Sequence, residues 1–141
     1  MDCPRLNLPR VAGAALATLA LALPCAAPAA AANDWPAQSS DVQMVTVKVV
    51  PRVLSGSAWE FEVTFDTHVR ALDDDLMRSA TLVDGQGKPH GPTAWKGDGP
   101  GSHHRKGVLV FAALDPRPQS IELRIQRPGE PAPRVFKWQA P

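Results

Sequence analysis

Three histidines, His68, His103 and His104, and one carboxylate, Asp66, are the residues of this sequence whose types and spacing could do chemistry. Neutral imidazole nitrogen binds Zn, Cu(II) and Ni well, and a carboxylate can complete such a ligand set. Both cysteines, Cys3 and Cys25, precede residue 33, in a stretch expected to be removed. A site without thiolate favours Cu(II), Zn or Ni over Cu(I). Met44 and Met77, the only methionines after the first residue, are too few for a methionine-rich copper carrier. A competing reading needs no ligand. In it the paired histidines hydrogen-bond backbone groups at a strand corner and order a loop, on a domain that is structural or binds protein.

Other candidates point to less. His90 lies in the loop Lys88-Pro89-His90-Gly91-Pro92 and is expected to face solvent. The run Asp73-Asp74-Asp75 lacks the alternating ligands and the glycine of an EF-hand loop and reads as a solvated loop. Gly97-Asp98-Gly99-Pro100-Gly101 lacks the Lys-Ser/Thr that a phosphate-binding loop requires. No nucleophile elbow and no dinucleotide fingerprint occurs. The expectation is therefore a non-catalytic binding or accessory domain, with a metal-dependent hydrolase the least favoured alternative.

For the four site residues to meet, distant strands must pair. In Trp59-Glu60-Phe61-Glu62-Val63-Thr64-Phe65-Asp66-Thr67-His68 apolar residues alternate strictly with polar ones. Successive strand side chains point to opposite faces, so this is a strand with Trp59, Phe61, Val63 and Phe65 in a core. Further strands are expected at residues 43–50, 80–84, 92–96, 107–113, 121–126 and 134–139, separated by Pro- and Gly-rich turns. Leu72 and Leu76, four apart, allow one helical turn. About seven short strands and no long helical period predict an all-β fold, a single immunoglobulin-like antiparallel β-sandwich. In the constant-type arrangement the second and fifth strands are antiparallel neighbours, which brings His68 beside His103 or His104. If Leu109 and Phe111 point inward, His104 points outward with Asp66 and His68, and His103 joins them only if the loop bends.

Residues 1–32 have the layout of a secretory signal peptide. Arg5 and Arg10 precede an uncharged run at residues 11–24, and Ala30 and Ala32 satisfy the small-residue rule for cleavage before Asn33. The run is short of the roughly 20 apolar residues that span a bilayer. Acylation at Cys25 is a minor alternative, disfavoured by Pro24. The expected organisation is a signal peptide at 1–32, a flexible lead-in at 33–41 and a β-sandwich domain at 42–140, in a periplasmic or secreted protein. Beyond residue 32 the 13 basic and 13 acidic side chains cancel. Such a balance suits no nucleic-acid partner and leaves a metal ion or a periplasmic protein as candidates.

Asp66-Thr67-His68, Leu72 and the motif Gly101-x-His103-His104-Arg105-x-Gly107-x-Leu109-x-Phe111 together resemble a group of small, uncharacterised exported β-sandwich proteins of bacteria and archaea. The resemblance spans about residues 42–139, and the paired histidines are its specific part. Ser102 stands where the group is expected to have glycine. The resemblance implies the fold and the extent of the domain and brings no activity with it.

Overall fold

A computed structural model of the chain describes residues 35–140. The signal peptide expected at residues 1–32, with Cys25, lies outside the described residues. The elements in chain order are β1 (Gln38–Val42), β2 (Val45–Val53), β3 (Ala58–Thr67), the short helix α1 (Leu76–Ser79), β4 (Ala80–Asp84), β5 (Pro89–His90), β6 (Ala94–Gly97), β7 (His104–Ala112), β8 (Ser120–Ile125) and β9 (Arg134–Gln139). Two antiparallel sheets face each other, one ordered β1-β2-β3-β7-β6 and the other β5-β4-β8-β9. Without β1 and β5, the orders β2-β3-β7-β6 and β4-β8-β9 are those of a constant-type immunoglobulin domain. No helix among the described residues is long and apolar enough to cross a membrane.

The alternation in β3 does what its period requires. Phe61, Val63 and Phe65 are fully buried and Trp59 nearly so. Val45, Val47 and Val49 of β2 and Leu109 and Phe111 of β7 extend the same inner face. Leu82, Ile121, Leu123, Ile125, Phe136 and Trp138 meet them from the other sheet. Phe61 is central: its ring packs edge-on to Phe111 at 5.8 Å and tilted against Trp138 at 5.8 Å. Each fully buried side chain of this kind contributes roughly 1.5–3 kcal/mol before entropy costs.

Several expectations are corrected. The sandwich has nine strands, because β1 and β5 add to the seven. Residues 38–41 of the expected lead-in, together with Val42, form β1, paired with β2 from Gln38↔Val49 to Val42↔Val45. Trp35, earlier still, is 7% exposed and joins the core. The two-residue turn between β1 and β2 places Gln43 and Met44 at φ 51° and 61°, the conformation of a type I′ hairpin without its usual glycine. Arg134 compensates from outside, donating to the carbonyls of Ser40, Val42 and Val45. The strand expected at 92–96 does not return along β4. The chain crosses instead to the other sheet, where β6 pairs with β7. Of residues 69–79 only 76–79 are helical, although Leu72 and Leu76 are both buried.

One close approach fixes where β6 lies. Gly97 and Gly107 are register partners, and the Trp95 ring lies over them. A Cβ on Gly107 would sit 2.6 Å from the Trp95 ring and 2.7 Å from the Gly97 backbone, so a methyl group has nowhere to go. Gly107→Ala should therefore lower stability by about 1–3 kcal/mol in denaturant unfolding. Gly91→Ala, where nothing lies within 4 Å, should change it by less than about 0.5 kcal/mol.

Candidate functional site

Antiparallel pairing gathers three loops at one end of the sandwich: residues 68–75 after β3, 98–103 before β7 and 126–133 after β8. Backbone hydrogen bonds tie the first two together, from Leu72 N–H to Ser102 O, from Gly101 N–H to Leu72 O and from Thr67 N–H to His103 O. The third joins through Gln126 N–H to Ser79 O. Asp98 anchors the middle loop: its carboxylate accepts from Lys106 N–H, and its carbonyl accepts from Trp95 Nε1 and Arg105 Nε.

Beneath these loops lies a buried network of charge. The Arg127 guanidinium donates to both oxygens of Asp74, at 2.9 and 3.0 Å, and to Glu130 at 3.1 Å. Arg134 donates to both oxygens of Glu130, at 2.9 and 2.6 Å. All four side chains are at most 4% exposed. Two cations and two anions leave no net charge, and forked pairs of this kind are the strong ones. The Asp74 carbonyl also takes a bond from Arg105 Nη1. A few side chains thus join all three loops to the β1–β2 hairpin.

The reading of Asp73-Asp74-Asp75 as a solvated loop is corrected by this network. Asp73 and Asp75 are exposed, but Asp74 is buried at its centre. Asp75 caps α1 by accepting from Met77 N–H. Glu130 falls in one of the expected Pro- and Gly-rich turns, and Arg134 opens the last expected strand. The spacing Arg127, Glu130, Arg134 was the available signal. Acidic and basic residues three and four apart around Pro128-Gly129 and Pro131 suit a loop folded on its own ion pairs, although Asp74 is 53 residues away.

Of the histidine site, the structure brings one pair together. Asp66 and His104 are register partners on β3 and β7, on the outer face as strand parity requires. His104 Nδ1 contacts Asp66 Oδ1, with the side chains 61% and 53% exposed. His104 N–H donates to Ser102 Oγ at 3.2 Å. His103 holds the loop through its carbonyl, not its ring. His68 and His103 are exposed in the adjoining loops. Among the described residues, no three His, Cys, Asp or Glu side chains are gathered so as to hold a metal ion. His90, expected in solvent, is half-buried at the opposite end, where its Nε2 meets Asp84 Oδ2 at 3.0 Å. That contact, with the Lys88 and Gln86 backbone N–H groups, holds the Asp84 carboxyl below its ordinary range.

The Glu130 carboxyl is held below its usual value, first by the hydrogen bond from Arg134, then, against the opposing effect of burial, by the Arg134 charge and by the hydrogen bond and charge of Arg127. A carboxylate with a lowered folded-state pKa contributes stability that is present above its unfolded value, near 4.5, and is lost as pH falls through the folded value. The loop end should thus be acid-sensitive. Glu130→Gln leaves Arg134 and Arg127 without a carboxylate and should cost about 3–5 kcal/mol near neutral pH. The gap to wild type should narrow between pH 6 and pH 3 in denaturant titrations, and a gap constant with pH would dissociate Glu130 from the acid response. Comparison with protein-family models, with curated proteins and with solved structures found no match for the chain.

Proposed function

We propose that this chain is an exported accessory domain that binds a partner through the end of the sandwich where the three loops meet. The observation that carries this reading is the cross-bracing of those loops by the Asp74–Arg127–Glu130–Arg134 network. Loops at a sandwich end are ordinarily its most mobile parts and also where binding residues sit. Fixing them in advance removes ordering cost at the moment of binding. In this reading the paired histidines order the loop: His103 through its carbonyl, His104 through Asp66 and Ser102. Export is supported by the composition of residues 1–32.

A second reading, a transition-metal site, has one specific observation behind it. A carboxylate on Nδ1 of His104 leaves Nε2 directed away from that contact, an arrangement that orients an imidazole toward a metal. Asp66 would then orient the ligand, and His68 and His103 would have to swing in to complete a site for Cu(II), Zn or Ni.

Two measurements separate these readings. In capture from periplasmic extract, His68→Glu with His103→Glu should abolish retention of a partner, and Arg117→Glu at the opposite end should not. Equal retention by both variants, or none by wild type, would contradict the binding reading. In thermal melts without metal, His103→Ala with His104→Ala should lower stability by about 1 kcal/mol or less, the usual range for an exposed pair. Added Cu(II), Zn or Ni should leave the wild-type melt unchanged. A metal-dependent rise in wild type that the double variant lacks would establish the metal reading instead.

A further inference from the structure

Arg105 differs from the other two buried arginines. The residue is 4% exposed, yet its two hydrogen-bond acceptors are both carbonyls, Asp98 O at 2.9 Å from Nε and Asp74 O at 2.6 Å from Nη1. Its guanidinium lies over the Trp95 ring, 5.4 Å from the centroid. Arg127 and Arg134 are neutralised by forked carboxylates. Arg105 forms no ion pair among the described residues. The nearby Asp74 carboxylate is committed to Arg127 through both oxygens. Burying a cation without a counter-charge is costly, and such a charge is normally compensated by something.

The guanidinium has donors to spare. A guanidinium carries five N–H groups, and the two bonds above leave three unused. Among the described residues Nη2 has no hydrogen-bond partner. Arg105 lines a pocket of about 310 Å³ between the loop after β3 and the loop before β7. Trp95, Leu76, Met77 and Pro100 give it an apolar wall, and Asp73 and Asp75 stand exposed beside it, Asp75 already accepting from Met77 N–H and pairing with Arg78 at 3.4 Å. A simple anion would meet Arg105 but also both aspartates. A ligand carrying a carboxylate, a neighbouring ammonium and an apolar body would answer every surface the pocket presents. The volume is at the small end for ligand sites, about the scale of one such molecule.

We propose that this pocket binds the zwitterion of an apolar α-amino acid, its carboxylate on the free N–H groups of Arg105, its ammonium toward Asp73, and its side chain against Trp95 and Met77. The proposal deepens the reading that this end of the sandwich is the binding end and rests on it. Its test is separate, because the metal melts and the histidine variants read the outer corner at His104, whereas the ligand series reads Arg105.

The test is a nuclear magnetic resonance titration of the purified protein with leucine, leucinamide and N-acetylleucine, reading the Trp95 indole N–H, assigned through Trp95→Phe. Leucine should shift that resonance saturably. Leucinamide, which lacks the carboxylate, should bind at least about tenfold more weakly, as expected for loss of a charge-assisted forked pair. N-acetylleucine, which lacks the ammonium, should also bind more weakly. Asp73→Asn, at an exposed position, should weaken leucine and leave N-acetylleucine unchanged. Arg105→Lys should remove leucine binding. If that variant unfolds, because Arg105 also braces two loops, the comparison of the three ligands on wild type decides. No saturable shift up to about 10 mM of any ligand, or leucinamide binding as tightly as leucine, would overturn the proposal.

Discussion

Two arginines and two carboxylates taken out of water together are the constraint on which the rest of this structure depends. Asp74 comes from the loop after β3, Arg127 and Glu130 from the loop after β8, and Arg134 from the start of β9. Burying charge this deep is costly, and the cost is offset here because each of the four is paired and hydrogen-bonded. Arg134 spends its further N–H groups on three carbonyls of the β1–β2 hairpin, which is how a turn with two non-glycine residues at positive φ is held. The network therefore fixes the hairpin of one sheet against the last strand of the other. It also fixes the loops through which the sandwich can present a surface.

The flanks of the sandwich follow the same logic with weaker bonds. β9 is an edge strand, and exposed edges invite pairing with other chains. Here the Gln38 side chain fills the role of a neighbouring strand. Its amide donates to Lys137 O at 2.5 Å and its oxygen accepts from Lys137 N–H at 3.1 Å. Trp138 Nε1 reaches Pro36 O at 2.8 Å. β1 and the residues before it thus cover one open side of the barrel-like shell. Among the described residues, the opposite end of the sandwich has no comparable ionic core. There the half-buried Asp84–His90 pair sits beside a wider cavity of about 550 Å³.

What could be read from sequence was whatever a period encodes. β3 was legible because its alternation is unbroken, and the shared outer face of Asp66 and His104 followed from parity, whereas the register that pairs His104 with Asp66 rather than His68 did not. β1 was not legible. Gln38-Ser39-Ser40-Asp41-Val42 has no apolar face, and it is held by its pairing with β2, by the Arg134 side chain and by its own Gln38 side chain rather than by core contacts. The crossing of β6 to the other sheet depends on a glycine pair beneath one tryptophan, a fit that no local pattern records. The charged network was hidden for a different reason. Charged residues near prolines and glycines ordinarily lie in water, and the partner that buries Arg127 is remote in the chain. The pocket at Arg105 inherits that difficulty, because a missing counter-charge shows only once the other carboxylates are assigned.

Amide hydrogen exchange at the loop end, in wild type and in Asp74→Asn, bears most directly on the claim that buried charge holds three loops rigid. The amides of Leu72, Gly101 and Gln126 should exchange in wild type as slowly as those of the central strands. In Asp74→Asn they should lose protection while the centre of β3 keeps it, through local rather than global opening. Fast exchange at these amides in wild type, or unchanged protection in the variant, would contradict a loop platform built on the ionic network.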